Sequence, residues 1–210
     1  MGLYSRHILP RLLDGACGVQ PIARQRAKVV PQAVGDVVEI GIGSGLNLPF
    51  YDADAVRSVT GIDPDERLWD RAAARVRACA FPVRRLDLSG ESLPLDTASA
   101  DTVVVTYTLC TIPDPVAALR EMARVLKPGG RILFTEHGQA PDASVARWQA
   151  RIDPVWRRLA GGCHSGRDTP ALFRAAGLEL DQLEQMYIPG PKVLSYNYWG
   201  AAVHSGKGNR

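Results

Sequence analysis

The segment Glu39-Ile40-Gly41-Ile42-Gly43-Ser44-Gly45 places three glycines on alternate positions just after a short apolar run. Lacking Cβ atoms, such a loop lets backbone approach a bulky ligand closely. A trio of this kind could serve a dinucleotide, a nucleoside or no ligand at all. The dinucleotide fingerprint GxGxxG asks for glycine at position 46, where this chain has Leu46. A carboxylate two residues before the first glycine gives a pyrophosphate nothing, whereas it suits a ligand with a cationic amine. The competing reading of Glu39 is a buried structural acid. Asp63, in Gly61-Ile62-Asp63-Pro64, follows at the end of a second apolar run. A carboxylate there can accept both hydroxyl protons of a ribose, or it can cap a turn or helix.

A second set of reactive side chains lies later in the chain. His137 follows a strand-like run and could act as a general base or hydrogen-bond an acceptor, or simply pack under the next helix. Gly161-Gly162-Cys163-His164, followed by Arg167 and Asp168, is rich for a connector and suggests anion contact or lid closure. His164 is therefore a second catalytic candidate and Arg167 a substrate-binding one. Cys110 is either a thiol in a substrate pocket or a small buried hydrophobe. Trp148 and Trp156 stand at helical spacing, as core residues or as a platform for substrate. A metal site at Cys163 and His164 is not expected, because no second ligand pair has suitable spacing. The cysteines at 17, 79, 110 and 163 contain no CxxC pair and read as free thiols of a reducing cytoplasm.

These residues need a scaffold that gathers them. From residue 36 onward, strand-like runs alternate with amphipathic helices: DVVEI, RSVTGID, a helical Asp65 to Cys79, FPVRRLDL, DTVVVTY, a helix over 114–126 stopped by KPGG, then RILFTE. Such alternation argues for a doubly wound parallel α/β sheet, whose right-handed crossovers bring every strand-to-helix loop to one rim. Residues 1–35 read as short helices, with Ile8, Leu12 and Leu13 on one face. Residues 142–160 look helical but are interrupted by Pro154. Thr169-Pro170 starts another helix and Gly177 stops it. LELDQLEQMYI and KVLSYNYWGAAV read as two final antiparallel strands.

Composition narrows the classes. The chain has 210 residues, 46% of them hydrophobic, and a net charge of +3 from 25 basic and 22 acidic side chains. That is ordinary globular usage, with no electrostatic case for nucleic acid as a partner. No apolar run approaches the roughly 20 residues a membrane-spanning helix needs, and the charged start makes a poor signal peptide. The expected location is cytoplasmic.

EIGIGSG, GIDP, the DTVVV strand and above all RVLKPGGRILF resemble the class I S-adenosylmethionine-dependent methyltransferases. The likeness is strong over roughly residues 35–137. It implies a Rossmann-like seven-stranded, mostly parallel sheet with the last strand antiparallel. The N-terminal 35 residues and an insertion at about 138–168 would cap the rim of a domain spanning 36–203, and 204–210 would be a flexible tail. It also implies S-adenosylmethionine as cofactor and S-adenosylhomocysteine as product. Glu39, Gly41, Gly43 and Gly45 would hold the methionine end and Asp63 the ribose. Ser89, Gly90 and Glu91 would flank adenine, and Thr106 and Tyr107 would pass near the sulfonium. The family usually has Asp-Ala where this chain has Ser89-Gly90, so any adenine contact falls to Ser89 or to backbone.

The stretch from LCTIPDP through EHG and GGCHSGRDT to YWGAAV resembles the group holding the animal alkyl-thiol methyltransferases and bacterial relatives. The ubiquinone/menaquinone C-methyltransferases are more distant relatives. The implied reaction is methyl transfer to a small-molecule acceptor, a thiol first, with O- or C-methylation of a phenolic or quinone-like acceptor as the alternative. A nucleotide-binding protein without transfer activity is a third reading, opposed by Leu46 and RVLKPGG.

Overall fold

The computed structural model describes residues 9–205. Seven strands form one sheet in the order β3-β2-β1-β4-β5-β7-β6. They are β1 (Gly35–Ile40), β2 (Val56–Ile62), β3 (Val83–Leu86), β4 (Ala100–Thr106), β5 (Leu126–His137), β6 (Leu178–Tyr187) and β7 (Tyr196–His204). The first five run parallel, and β7 slots antiparallel between β5 and β6. β4 shows why the centre is parallel: Val103, Val104 and Val105 are all fully buried, because helices cover both faces. Chain direction across the sheet reverses between β1 and β4, which opens a crevice beyond their carboxyl ends. Ile40 and Thr106 end there.

The helices are α1 (Leu9–Cys17), α2 (Gln20–Val29), α3 (Glu66–Asp70), α4 (Ala73–Arg77), α5 (Pro115–Val125), α6 (Ala143–Leu159) and α7 (Thr169–Ala175). Helix α5 starts where the Asp114 carboxylate accepts the Ala117 amide and Pro115 presets the first turn. Helix α7 starts the same way, from Asp168 and Pro170. Leu119, Met122 and Val125 of α5 and Phe173 of α7 are sealed against β4 and β5, with the Phe173 ring tilted against Phe134 at 4.5 Å between centroids. At the opposite end of the strands from the crevice, Arg57 pairs with Asp36 and Asp101, and Lys127 with Asp101.

Some expectations needed revision. The helix read over Asp65 to Cys79 is broken at Arg71 and Ala72, where amides turn back to Leu68 and Trp69 in tighter three-residue bonds. Pro154 does not interrupt α6. The helix runs through it, anchored before by fully buried Gln149 and after by Trp156 against Cys163. KVL forms a short 3₁₀ turn, so β7 begins only at Tyr196. The crossover between β1 and β2 holds only a three-residue 3₁₀ helix, Leu48–Phe50, in keeping with the crowding of Pro49 and the acids after it. Of the face read as Ile8, Leu12 and Leu13, Leu12 is exposed; Ile8 and the side chain of Leu13 fall outside the described residues, as does the tail beyond Ser205. His204, placed in that tail, belongs to β7. Among the described residues no helix is long and apolar enough to cross a membrane.

Phe173→Ala should cost about 3–5 kcal/mol of stability, because it empties the fully buried space against Phe134. Urea unfolding of the variant against the parent measures it, with the slope unchanged.

Candidate functional site

The crevice at the switch point is a cavity of about 340 Å³. Glycine-loop residues Gly41 and Gly43 line one part with Glu39 and Asp63, while Cys110, His137, Trp156 and Cys163 line another. Thr106 and Tyr107, at the end of β4, also line it. Asp14, Cys17 and Ile22 of α1 and α2 contribute the cap.

Glu39 is buried and its carboxylate is already engaged: Asn47 Nδ2 donates to one oxygen at 2.9 Å and Tyr51 Oη to the other at 2.6 Å. Burial raises its pKa from 4.5 to about 7, with those two bonds and the charge of Arg26 pulling the other way. Arg26 is the main participant that sequence reading missed. Nearly fully buried on α2, it donates to Asn47 Oδ1 at 3.0 Å and to Thr106 Oγ1 at 2.5 Å, and its guanidinium lies 5.1 Å from the Tyr107 ring. Asn47 thus bridges the only buried acid of β1 to a cation of the cap. An arginine in a basic amphipathic helix carried no signal of burial.

Asp63 accepts the Gly43 amide and the Asp65 amide, each at 2.8 Å, and burial moves its pKa upward. The carboxylate therefore holds the glycine loop in place while facing the cavity. Gly41, Gly43 and Gly45 all take positive φ. A side chain at Gly41 would collide with Thr108, whereas a Cβ at Gly43 would meet protein only at 3.7 Å and beyond. The space beside Gly43 is open on the cavity side, as a ligand cradle requires. Asp14 draws the cap onto this loop by accepting Ser44 Oγ and the Arg71 guanidinium.

Tyr107 holds a left-handed backbone at φ 51°, a strained geometry for a bulky residue. Its hydroxyl donates to Asn197 Oδ1 of β7 at 2.6 Å, and its ring stacks on His137 at 6.4 Å. Glu136, next in the strand, accepts the amides of Thr108 and Leu109 and so fixes the loop that carries Cys110. Burial lifts Glu136 to about 7 against those two bonds. Cys163 Sγ lies 3.2 Å from His137 Nε2. A hydrogen bond from the Cys110 thiol, then His137, pull the Cys163 pKa down against burial. The same bond pushes Cys110 up. For His137, burial opposes the charge but Cys163 beside it outweighs that, and the pKa rises.

Several candidate residues are not in the cavity. Ser89, Gly90 and Glu91 do not line it: Ser89 bonds Glu91, Glu91 accepts the Asp114 amide, and Gly90 packs on Ile40. His164 faces a separate hollow beside Asp153, with Nδ1 at 3.2 Å from its carboxylate, so a catalytic part at the main cavity is withdrawn. Arg167 is spent on the carbonyls of Leu109 and Ile112 and braces the Cys110 loop from behind. Trp148 is 57% exposed on the outer face of α6, with Arg151 against its ring, and makes no platform. Trp156, two turns on, does face the cavity. Cys163 was passed over because its partners come from distant segments; local spacing could not reveal them.

The model of the methyltransferase domain family matches residues 38–134. The chain is 34% identical over 169 residues to a thiol S-methyltransferase of Rattus norvegicus, spanning 75% of this chain and 68% of that protein. It is 33% identical over 155 residues to a phosphatidylethanolamine N-methyltransferase of Cereibacter sphaeroides, spanning 71% and 75%. In fold it is similar to a geranyl diphosphate methyltransferase solved in complex with S-adenosylmethionine, with a TM-score of 0.67, 14% identity, and 87% and 84% of the two chains covered.

Because the folded pKa of Glu39 lies above its unfolded value, ionising it opposes folding. The stability held below 4.5 is lost as the pH climbs to about 7. Glu39→Gln should flatten that loss by up to about 3 kcal/mol, read as the difference between parent and variant in urea stability at pH 5 and pH 8.

Proposed function

The chain belongs to the S-adenosylmethionine-dependent methyltransferases, and on that premise we propose that it transfers the methyl group to a small-molecule thiol. It is an enzyme, its cofactor is S-adenosylmethionine, and its product is S-adenosylhomocysteine. The observation that carries the acceptor assignment is the continuity of one cavity from the glycine loop to a wall of Cys110, Cys163, His137 and Trp156. That wall is sulfur-rich, with Ala160 and Trp156 packed beside the two cysteines, and the thiol S-methyltransferase relative supports the same choice.

The cofactor supplies a methyl group already activated by its sulfonium. What remains for the protein is alignment and exclusion of water. Glu39 offers a carboxylate to the donor's amine, and the raised pKa makes that acid most useful once a cation draws out its proton. Asp63, steadied by Gly43 and Asp65, offers oxygen lone pairs to the ribose hydroxyls. The open side of Gly43 leaves room for the donor. Thr106 and Tyr107 lie on the way from this end to the acceptor wall, and Tyr107 is locked there by Asn197. Helices α1 and α2, pinned by Asp14 and Arg26, keep water from the reacting atoms. A thiol ionises near pH 8.5, so it needs little general-base help, whereas an alcohol would need a strong base.

Asp63→Ala should weaken binding of S-adenosylhomocysteine by on the order of 2–4 kcal/mol, measured by calorimetry. Asp14→Ala, which releases α1 from Ser44 and Arg71, should weaken it about tenfold while leaving the thermal melt of the free protein nearly unchanged. In an acceptor screen that reads S-adenosylhomocysteine release, small apolar thiols should turn over fastest. Transfer to phenols, quinols or amines with none to any thiol, at matched pH and donor, would replace the thiol with that acceptor.

A further inference from the structure

We propose that Cys110, His137 and Cys163 form a three-ligand site for a thiophilic divalent ion of the zinc class, with the fourth position open to the cavity. Cys110 sits on the loop after β4, His137 is the last residue of β5, and Cys163 lies on the turn after α6. Although 26 or more residues separate any two of them, Cys110 Sγ, Cys163 Sγ and an imidazole nitrogen of His137 lie within 4.8 Å of one another. With bonds of about 2.3 Å to sulfur and about 2.0 Å to nitrogen, tetrahedral ligands stand roughly 3.3–3.8 Å apart. The Cys163 Sγ to His137 Nε2 separation is 3.2 Å, a few tenths of an ångström short of that spacing, so a small opening of the pair would admit the ion.

The donor set selects the ion. Two thiolates and an imidazole suit zinc-like ions and not magnesium or calcium, which take oxygen. Two thiolates also neutralise a dication, so the filled site carries no net charge into a buried wall. The backbone around each ligand is fixed independently of any ion. Glu136 accepts the Thr108 and Leu109 amides, and Arg167 clamps the Leu109 and Ile112 carbonyls on either side of Cys110. The His164 amide donates to the Cys110 carbonyl at 2.9 Å, tying the Cys163 turn to the Cys110 loop. Gly161 and Gly162, both with positive φ, let that turn reverse sharply enough to bring Cys163 inward. Such bracing is what a preorganised metal site needs. Among the described residues no fourth protein ligand joins the three, and all three line the cavity. The use of the open position rests on the thiol reading above: an acceptor thiol entering it would coordinate as thiolate, releasing its proton to water, and would be held facing the donor's methyl group.

The test is cobalt titration of the reduced, full-length protein, followed by competition with zinc. One cobalt per chain should bind, with the intense near-ultraviolet sulfur-to-cobalt absorption of thiolate ligation, and zinc should abolish it. Cys110→Ser and Cys163→Ser should each lose most of that absorption while still binding S-adenosylhomocysteine, and Cys79→Ser, remote from the site, should keep it. Absence of the absorption in the parent, or its persistence in both site variants, overturns the proposal. Should the serine variants not fold, X-ray absorption of the zinc-loaded parent decides: two sulfurs and at least one imidazole nitrogen support the site, and any other sulfur count overturns it. The two readings separate cleanly. Thiol methylation by protein that binds no cobalt ends this proposal alone, and cobalt binding without any thiol turnover ends the acceptor assignment alone.

Discussion

The cavity depends on a buried exchange of charge between Glu39 and Arg26. Neither side chain reaches bulk water, and Asn47 mediates between them while Thr106 takes a bond from each of Arg26 and Asn47. A carboxylate alone in that place would stay protonated, and an arginine alone could not be buried. Together they fasten α2 of the cap to the carboxyl ends of β1 and β4, the two strands that flank the switch point. The roof of the crevice and its floor are therefore held by one network. The charge of Glu39 is thus already balanced in part by a neighbouring cation.

From that junction the cavity divides its work by chemistry. The glycine loop with Glu39 and Asp63 makes one end polar and acidic. The far wall is sulfur, imidazole and indole. Methyl transfer from a sulfonium disperses charge as it proceeds, so a dry, moderately polar channel serves it better than a strong acid or base. The strained backbone of Tyr107 fits this division. Its left-handed conformation turns the chain out of β4 so that the following loop runs back along the wall, and the bond to Asn197 helps hold the strain.

How much of this was legible in the sequence varies with the range of the interactions. The alternating sheet and the glycine loop are encoded in runs of a few residues, and the carboxyl-edge rim follows from handedness, so EIGIGSG, GIDP and DTVVV led directly to one end of the cavity. Pro154 misled because a proline's local cost was weighed without the anchors at Gln149 and Trp156 that the fold supplies on either side. Trp148 misled because helical spacing places it with Trp156 in a stripe, yet only the neighbouring elements decide which part of a stripe is covered. Arg167 and His164 stand in an unusual run of residue types, but their partners are backbone carbonyls and an aspartate outside the cavity. The gathering of Cys110, His137 and Cys163 had no local signal, since a loop, a strand end and a turn bring them in separately and only the tertiary fold makes them neighbours.

The position of β7 has a consequence for the order in which the molecule can be completed. During synthesis β6 emerges first, yet the sheet has no place for it until β7 arrives, because β7 fills the gap between β5 and β6. The same late strand brings Asn197, the acceptor for the Tyr107 hydroxyl. A nascent chain that has left the ribosome as far as α7 holds the five parallel strands, the glycine loop and the segments that brace the Cys110 loop, but Tyr107 still lacks its partner and the cavity lacks Ile188, Leu194 and Asn197. Vectorial synthesis therefore leaves the closure around Tyr107 to the last strand, after both ends of the cavity have emerged.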